Sequence, residues 1–317
     1  MMKYKILFKK KYKWNYLSFK KKSILFKTSK DFAKIFLNKN FNYNNLSEFE
    51  FFLRNSGSFN NFIYEDEDCL VLDKPGWLVC HPSKNGPWSS LVGVVKEYLG
   101  VESIHLASRL DRETSGVVLL AKHRAAASLW QKGVESKLVK RTYLAILRGE
   151  LKEGLKKVST FIGKDPQSMV FVKQRIMEKT NKSKIAVTNF LPLCTRDEHT
   201  FCAIRTETGR KHQIRAHAQS IGHELVGEKL YGPDESIYLK FCESGWRDEW
   251  IGLLGMDRQA LHGRSLDFKA EGKIYKSDLP DDMLKYMRDN LSLDAREIGD
   301  LVRKSDGIVW EDKIDEK

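Results

Sequence analysis

An aspartate between two arginines is the first feature of the sequence that could do chemistry. In the stretch LASRLDRETSGVVLLAK, Asp111 lies between Arg109 and Arg112, just ahead of an apolar run at residues 117–121. Guanidinium groups favour the ionised form of a nearby carboxylate, and an ionised carboxylate can act as a nucleophile or a base. On these residues alone, an ordinary ion pair at the end of a buried strand is the more usual explanation.

Histidines and cysteines can act as metal ligands, and cysteines can form disulfides, but their spacing here favours neither. His212, His217 and His223 lie close together in the sequence, but their spacing is not a recognised zinc pattern and no cysteine pair accompanies them. We therefore expect no metal. The five cysteines are scattered without a C-x-x-C pair, which is typical of a protein from a reducing cytosol rather than of a disulfide scaffold.

The positive charge of the chain is concentrated at its N-terminus. Residues 1–40 contain thirteen lysines, no arginine and one acid, Asp31, so that +12 of the net charge of +13 lies there. Residues 1–58 are also rich in Phe and Asn. This composition fits a poorly ordered extension, a basic arm that contacts phosphates and stacks on bases, or a segment on a membrane surface. The rest of the chain, after residue 40, is nearly neutral. A polyanionic partner for that part can therefore be inferred only from local groups of residues, and not from net charge.

Segments that direct a chain to a membrane are not predicted. No apolar run approaches the roughly 18 residues of a membrane span. The basic start does not lead into a continuous apolar region with a small-residue cleavage site, so a signal peptide is not expected either. We predict a cytoplasmic protein.

Hydrophobic periodicity predicts a mixed α+β domain dominated by an antiparallel sheet. Helices are expected at SSLVGVVKEYLG, HRAAASLWQKGVES and GRKHQIRAHAQSIG. The predicted strands are CLVLDK and WLVCH around the turn KPGW, followed by VVLLAK, KRTYLAILRG, MVFVKQ, KIAVTNFLPLC, TFCAIRTET and QALHGRSLDF. The main domain is predicted at residues 59–290, between the N-terminal extension at 1–58 and a charged C-terminal segment at 291–317.

Several ordered motifs together resemble one enzyme family. SRLDRETSGVVLLAK resembles the H-R-L-D-R-x-T-S-G-L-L-L-x-A-K signature of the RluA-type pseudouridine synthases. Residues 63–83, 140–150, 208–232 and 258–268 resemble further blocks of that family in the expected order. The resemblance spans about residues 60–285 and implies the pseudouridine synthase fold, with flanking helices and a central RNA-binding cleft. The N-terminal residues do not convincingly match the S4 domain that many larger members carry.

The resemblance also assigns roles to individual residues. It implies that Asp111 initiates breakage of the uridine N-glycosidic bond, either by attacking the sugar or by acting as a base on it. Tyr143 is implied to stack on the target uracil and Arg215 to pair with the aspartate. Arg109 is implied to enter the helix where the flipped nucleotide was, because a base must leave the stack before it can be modified. Without the resemblance, Tyr143 could be a core aromatic and Arg215 a helix-surface cation.

Other positions near these motifs are expected to touch RNA. These are Arg112, which could instead only orient the loop, His212, which could instead pack beside Arg215, and Gln213 and Lys74. The sequence departs from the family pattern at Ser108, at Gly76 with Trp77, and at Lys211. None of these replaces the aspartate, tyrosine or paired arginine, so the departures bear on RNA preference more than on activity.

The sequence therefore predicts a monomeric, cofactor-free RNA pseudouridine synthase acting on a stem-loop of ribosomal or transfer RNA. The alternative is a non-catalytic RNA-binding or ribosome-assembly factor on the same fold.

Overall fold

Two compact units make up the protein. The computed structural model describes residues 62–81, 90–136, 138–268 and 271–310. The first unit contains the described residues up to Arg141 together with His262–Asp278, and the second contains Thr142–Leu261 and the residues from Leu279 onwards. The interpretations given to residues 1–58 lie outside the described residues.

The first unit is built on a small sheet with two helices. Its elements are β1 (Phe62–Glu65), β2 (Cys69–Lys74), α1 (Leu91–Leu99), β3 (His105–Leu106), β4 (Ser115–Ala121), α2 (Arg124–Glu135), the start of β5 (Val139–Arg148), most of β10 (Leu261–Phe268) and β11 (Lys273–Lys276). β2 pairs antiparallel with β1 and β4, whereas β10 pairs parallel with β4.

Strand β4 is apolar at successive positions because both of its faces are covered. Val118 and Leu120 pack in a cluster with residues of α1, while Val117 and Leu119 pack in a second cluster with residues of α2. Ser90 caps α1, since its hydroxyl accepts the Gly93 N–H at 3.2 Å. A continuous apolar run is what a strand buried on both faces requires.

The second unit is an antiparallel meander with helices. It contains the rest of β5, then β6 (Lys156–Lys164), β7 (Gln174–Met177), β8 (Lys184–Arg196), β9 (His199–Thr206), α3 (Gln213–Ser220), α4 (Ser236–Ser244), a 3-10 turn (Asp248–Trp250), α5 (Ile251–Leu254), α6 (Asp281–Asn290) and α7 (Ala295–Asp306). The strand order is β5-β9-β8-β6-β7, with every neighbouring pair antiparallel. α7 starts at a capping box formed by Asp294 and Glu297.

The predicted α+β class with mainly antiparallel strands is confirmed, but two predicted strands are wrong. In WLVCH only Val79 makes an isolated bridge, because the carbonyls of Val79 and Cys80 accept the first N–H groups of α1. In MVFVKQ the strand begins only at Gln174. The preceding residues turn, with the Lys173 N–H donating to the Val170 carbonyl, so Val170 alone is buried while its neighbours are exposed. Among the described helices none is both long and apolar enough to cross a membrane.

Candidate active site

Asp111 lies in a loop that is held on both sides by buried side chains. Cys80 Sγ is 3.4 Å from the Leu110 nitrogen and 3.3 Å from the Leu110 oxygen, and Lys74 Nζ donates to the Arg112 carbonyl at 3.1 Å. The Asp111 carbonyl accepts the Thr114 N–H, which tightens the turn before β4. Asp111 itself remains half-buried. The loop therefore presents its carboxylate from a fixed backbone.

Lys74 occupies a position different from the RNA-facing one that we expected. Its side chain is fully buried, and its ammonium also donates to the carbonyls of Pro75 and Leu78, at 2.7 and 2.8 Å. An ammonium needs such acceptors when it is removed from water. Lys74 therefore holds the KPGW turn and the Asp111 loop together. Burial, the largest influence, raises the pKa of Cys80, which keeps the thiol protonated and able to donate.

The start of β4 behind Asp111 requires glycine. Gly116 has a φ of +116°, and a Cβ there would lie 2.3 Å from the Gly263 oxygen. Beside it, Ser115 Oγ lies 3.0 Å from His262 Nδ1, and His262 Nε2 lies 3.1 Å from the Ser277 carbonyl oxygen. Since that carbonyl can only accept, Nε2 carries a proton and Nδ1 can accept from Ser115. The close approach and the buried histidine fix β4 against β10.

The two arginines beside Asp111 are both exposed. Arg109 and Arg112 project from the loop, and Arg112 Nε donates to the Trp77 carbonyl at 3.3 Å. A planar cation on the surface is suited to stacking on bases and pairing with phosphates. Their exposure is compatible with the RNA contacts expected from the sequence.

Tyr143 belongs to the second unit. It lies on β5 opposite Ile204 of β9 and packs, partly buried, beside a core cluster that includes Ile214. Its ring is therefore neither wholly in the core nor fully exposed. This placement leaves both sequence-based interpretations of Tyr143 standing, so its role in the reaction remains a prediction.

Arg215, also in the second unit, forms a buried ion pair that the sequence analysis missed. Its Nε donates to Glu228 Oε2 at 2.8 Å and its Nη2 to Glu228 Oε1 at 2.6 Å. Glu228 additionally accepts the backbone N–H groups of Leu230 and Tyr231. Burial alone would raise the pKa of Glu228, but the guanidinium and the N–H donors outweigh it and hold that pKa below its ordinary value. The pairing of Arg215 with Asp111 remains a prediction.

Tyr231 links Arg215 to the turn that precedes α3. The guanidinium carbon of Arg215 lies 5.1 Å from the centroid of the Tyr231 ring. Tyr231 Oη accepts the Gln174 N–H at 2.8 Å and lies 3.0 Å from His212 Nδ1. His212 has a φ of +53°, which is unusual for a residue other than glycine. The sequence signal that could have revealed this support is the acid and aromatic in VGEKLYG, thirteen and sixteen residues after Arg215.

Gln213 also has its side chain engaged inside the protein. Its oxygen accepts from Thr208 and from the Arg210 N–H, while its amide nitrogen donates to Val187 and Thr188. It is 3% exposed. Gln213 therefore stabilises the TGRKHQ turn through these hydrogen bonds. A direct contact of Gln213 with RNA remains a prediction.

Each of the three histidines considered as a metal ligand has another partner. His212 contacts Tyr231, and His223 Nδ1 lies 2.9 Å from the Arg148 carbonyl. His217 lies between two threonine hydroxyls, and burial lowers its pKa to about 4. In the part of the chain that the structure describes, no three His, Cys, Asp or Glu residues are grouped to hold a metal ion.

The fold is that of the pseudouridine synthases. The structure is similar to that of human RNA Pseudouridylate Synthase Domain Containing 4, with a TM-score of 0.58 and 21% identity over 74% of this chain and 94% of that chain. Human RNA Pseudouridylate Synthase Domain Containing 1 gives a TM-score of 0.56 over 77% and 94% of the two chains, also at 21% identity. At this level of identity the similarity establishes the fold.

Sequence comparison places the chain in a family within that fold. The model of the RNA pseudouridylate synthase family matches residues 68–220. The chain is 37% identical to the uncharacterised RNA pseudouridine synthase YjbO of Bacillus subtilis, over 72% of this chain and 75% of YjbO. It is 32% identical to ribosomal large subunit pseudouridine synthase D of Vibrio vulnificus, over 75% and 73% of the two chains. The protein therefore belongs to the RluA-type RNA pseudouridine synthases and is an isomerase that acts on RNA.

Proposed function

We propose that the protein converts a uridine of large-subunit ribosomal RNA to pseudouridine through Asp111. In this isomerisation the bond between uracil N1 and ribose C1′ breaks, the uracil turns, and a bond forms between C5 and C1′. C5 loses a proton and N1 gains one, so that no atom is added or removed and no oxidant is needed. Asp111 starts the reaction, either by attack on the sugar or as a base.

The observation that carries this proposal is the bracing of the Asp111 loop. Lys74 and Cys80 hold the backbone on either side of the aspartate, while the aspartate is only half-buried. A reacting group must be held within a fraction of an ångström of its target to be effective. An ordinary surface ion pair has no need for a fully buried lysine that donates to the carbonyl of the next residue.

Supporting roles are proposed for four further side chains. Arg215, already fixed by Glu228, supplies positive charge to the reaction, and Tyr143 stacks on the uracil. Arg109 fills the gap left by the extruded nucleotide, and Arg112 contacts the RNA backbone. Exposed guanidinium groups suit both tasks.

Ribosomal RNA is the favoured substrate because of the relatives. Several of them, at 30–33% identity, are named ribosomal large subunit pseudouridine synthase D. We accordingly propose that the chain acts in the cytoplasm, as a monomer, on a structured segment of ribosomal RNA. Pseudouridine mapping of total RNA with and without the gene tests this choice, and a site lost from transfer RNA alone would contradict it.

The role of Asp111 is tested by Asp111→Asn, with Asp289→Asn on the surface of α6 as a matched control. We expect Asp111→Asn to bind RNA within about twofold of the unaltered protein and to form no pseudouridine. The control should retain both properties. Pseudouridine formation by Asp111→Asn at an unchanged rate would refute the assignment.

A further inference from the structure

The loop between β6 and β7, residues 165–173, exposes two large apolar side chains. Met169 is 74% exposed and Phe171 is 76% exposed, whereas Val170 between them is 3% exposed. Val170 packs in a core cluster with Leu230 and Tyr231. The buried valine thus forces its two neighbours to point away from the core.

Hydrogen bonds hold this loop in one shape. Ser168 Oγ and Lys173 Nζ both donate to Glu235 Oε2, at 3.0 and 2.6 Å. The Lys173 N–H donates to the Val170 carbonyl, and the Asp165 N–H donates to the Lys173 carbonyl. The exposure of Phe171 is therefore a property of an ordered loop. A rigid aromatic side chain loses little conformational freedom when it binds a partner.

One lysine lies directly against the ring of Phe171. Lys164 Nζ lies 3.6 Å from the centroid of its ring. The hairpin and its flanks, residues 164–184, contain six basic and two acidic side chains, a net charge of +4. Three further lysines, Lys179, Lys182 and Lys184, are exposed at the other end of β7, in or beside the turn that joins it to β8. An aromatic ring beside a lysine, with further lysines along the same hairpin, suits single-stranded RNA, since a base can stack on the ring and phosphates can pair with the lysines.

The loop is joined to the arginine that we propose for catalysis. Tyr231 packs with Val170, accepts the Gln174 N–H and faces Arg215. These contacts all lie within the second unit. RNA that brings its target nucleotide to Arg215 would therefore have its neighbouring nucleotides close to the unit that carries Phe171.

We propose that Phe171, with Lys164 and Met169, forms a second RNA contact on which an unpaired base other than the target uridine stacks. This inference rests on the proposed function, because it assumes an RNA substrate. A protein partner is less favoured, because the centres of protein interfaces are poor in lysine, whereas here a lysine lies directly on the exposed ring. The contact would raise affinity and help to select the RNA without taking part in the chemistry.

The test compares Phe171→Ala and Phe171→Trp with Leu253→Ala, an exposed apolar residue of the same unit used as the control. Binding is measured with a ribosomal RNA fragment, and turnover is measured at saturating RNA. We expect Phe171→Ala to weaken binding about tenfold, Phe171→Trp to restore it, and kcat to change by less than about twofold in each. Lys164→Gln should lower the slope of log affinity against log salt by about 0.7.

Binding by Phe171→Ala that equals binding by Leu253→Ala would overturn the proposal, and so would a loss of kcat with unchanged affinity. Failure of the proposed function would look different. In that case Asp111→Asn would make pseudouridine as fast as the unaltered protein, whatever the affinity of the Phe171 variants.

Discussion

Arg215 and Glu228 form a two-point ion pair in the interior of the second unit. Two parallel hydrogen bonds of 2.8 and 2.6 Å join the guanidinium to the carboxylate, and both side chains are less than 10% exposed. Two backbone N–H groups complete the surroundings of the carboxylate. Glu228 thereby fixes the orientation of the guanidinium that the resemblance assigns to the reaction.

Glu228→Gln should reduce the stability of the protein. The substitution keeps the shape of the side chain but leaves the buried Arg215 without its charged partner, which typically costs about 3–5 kcal/mol. We expect a loss of that size in the free energy of unfolding, measured with urea at pH 7. Glu235→Gln is the control, because Glu235 pairs with Lys173 near the surface, where an ion pair contributes about 1 kcal/mol or less. Equal losses of unfolding free energy in the two variants would mean that the buried Glu228 ion pair contributes no more than the one near the surface.

The stabilising effect of Glu228 should disappear in acid. Its pKa is lower in the folded protein than in the unfolded chain, so its contribution is complete above the ordinary pKa of about 4.3 and is lost as the pH falls through the folded value. The difference in unfolding free energy between the unaltered protein and Glu228→Gln should therefore shrink below pH 4. A difference that stays constant from pH 7 to pH 3 would argue against an ionised Glu228.

His217 should make the protein less stable in mild acid. Burial between Thr160 and Thr188 lowers its pKa to about 4, whereas the unfolded chain has an ordinary value near 6.5. Between these values the unfolded state binds more protons, so stability falls as the pH is lowered, by up to about 1.4 kcal/mol per pH unit. His217→Gln should flatten the dependence of unfolding free energy on pH between 6.5 and 4. An unchanged dependence in His217→Gln would contradict this account of the buried histidine.

Lys74→Met should impair turnover more than RNA affinity. The ammonium of Lys74 holds the carbonyls of Pro75, Leu78 and Arg112, so its loss frees the loop that carries Asp111. We expect kcat to fall at least about tenfold while KM stays within about twofold. Arg112→Ala should show the opposite pattern, with a raised KM. A raised KM with unchanged kcat in Lys74→Met would instead indicate that Lys74 contacts RNA. The unfolding curve of the variant shows whether it is still folded.

Gly116→Ala should be strongly destabilising. The new Cβ would lie within 2.3–2.7 Å of Gly263 backbone atoms, and the φ of +116° disfavours any side chain. We expect a loss of more than about 3 kcal/mol in unfolding free energy. Gly100→Ala separates the two effects, because Gly100 also has a positive φ but its added Cβ would meet nothing within 4 Å. Its loss should be about 1 kcal/mol. Similar losses at the two positions would mean that β4 and β10 can move apart.

The sequence by itself determined the order of the main elements, the α+β class and the family. Apolar periodicity was sufficient for β4 and α2, because a strand buried on both faces and an amphipathic helix have distinct local patterns. It failed at WLVCH, where the carbonyls of Val79 and Cys80 bond to the start of α1, and at MVFVKQ, where a turn replaces most of the predicted strand. Apolar, strand-like composition does not reveal either of these hydrogen bonds.

Only the tertiary structure decided what supports the residues that the motifs identify. The sequence gives no sign that Lys74 turns inwards to three carbonyls, that Cys80 holds Leu110, or that Glu228 receives Arg215. Apart from the bonds of Lys74 to the nearby Pro75 and Leu78, each of these contacts joins residues at least thirteen positions apart that folding brings together. A buried charge takes the partner that the fold places within reach. Chemistry-bearing residues are recognised by type and order along the chain, whereas the charges and hydrogen bonds that hold them are set by distances in space.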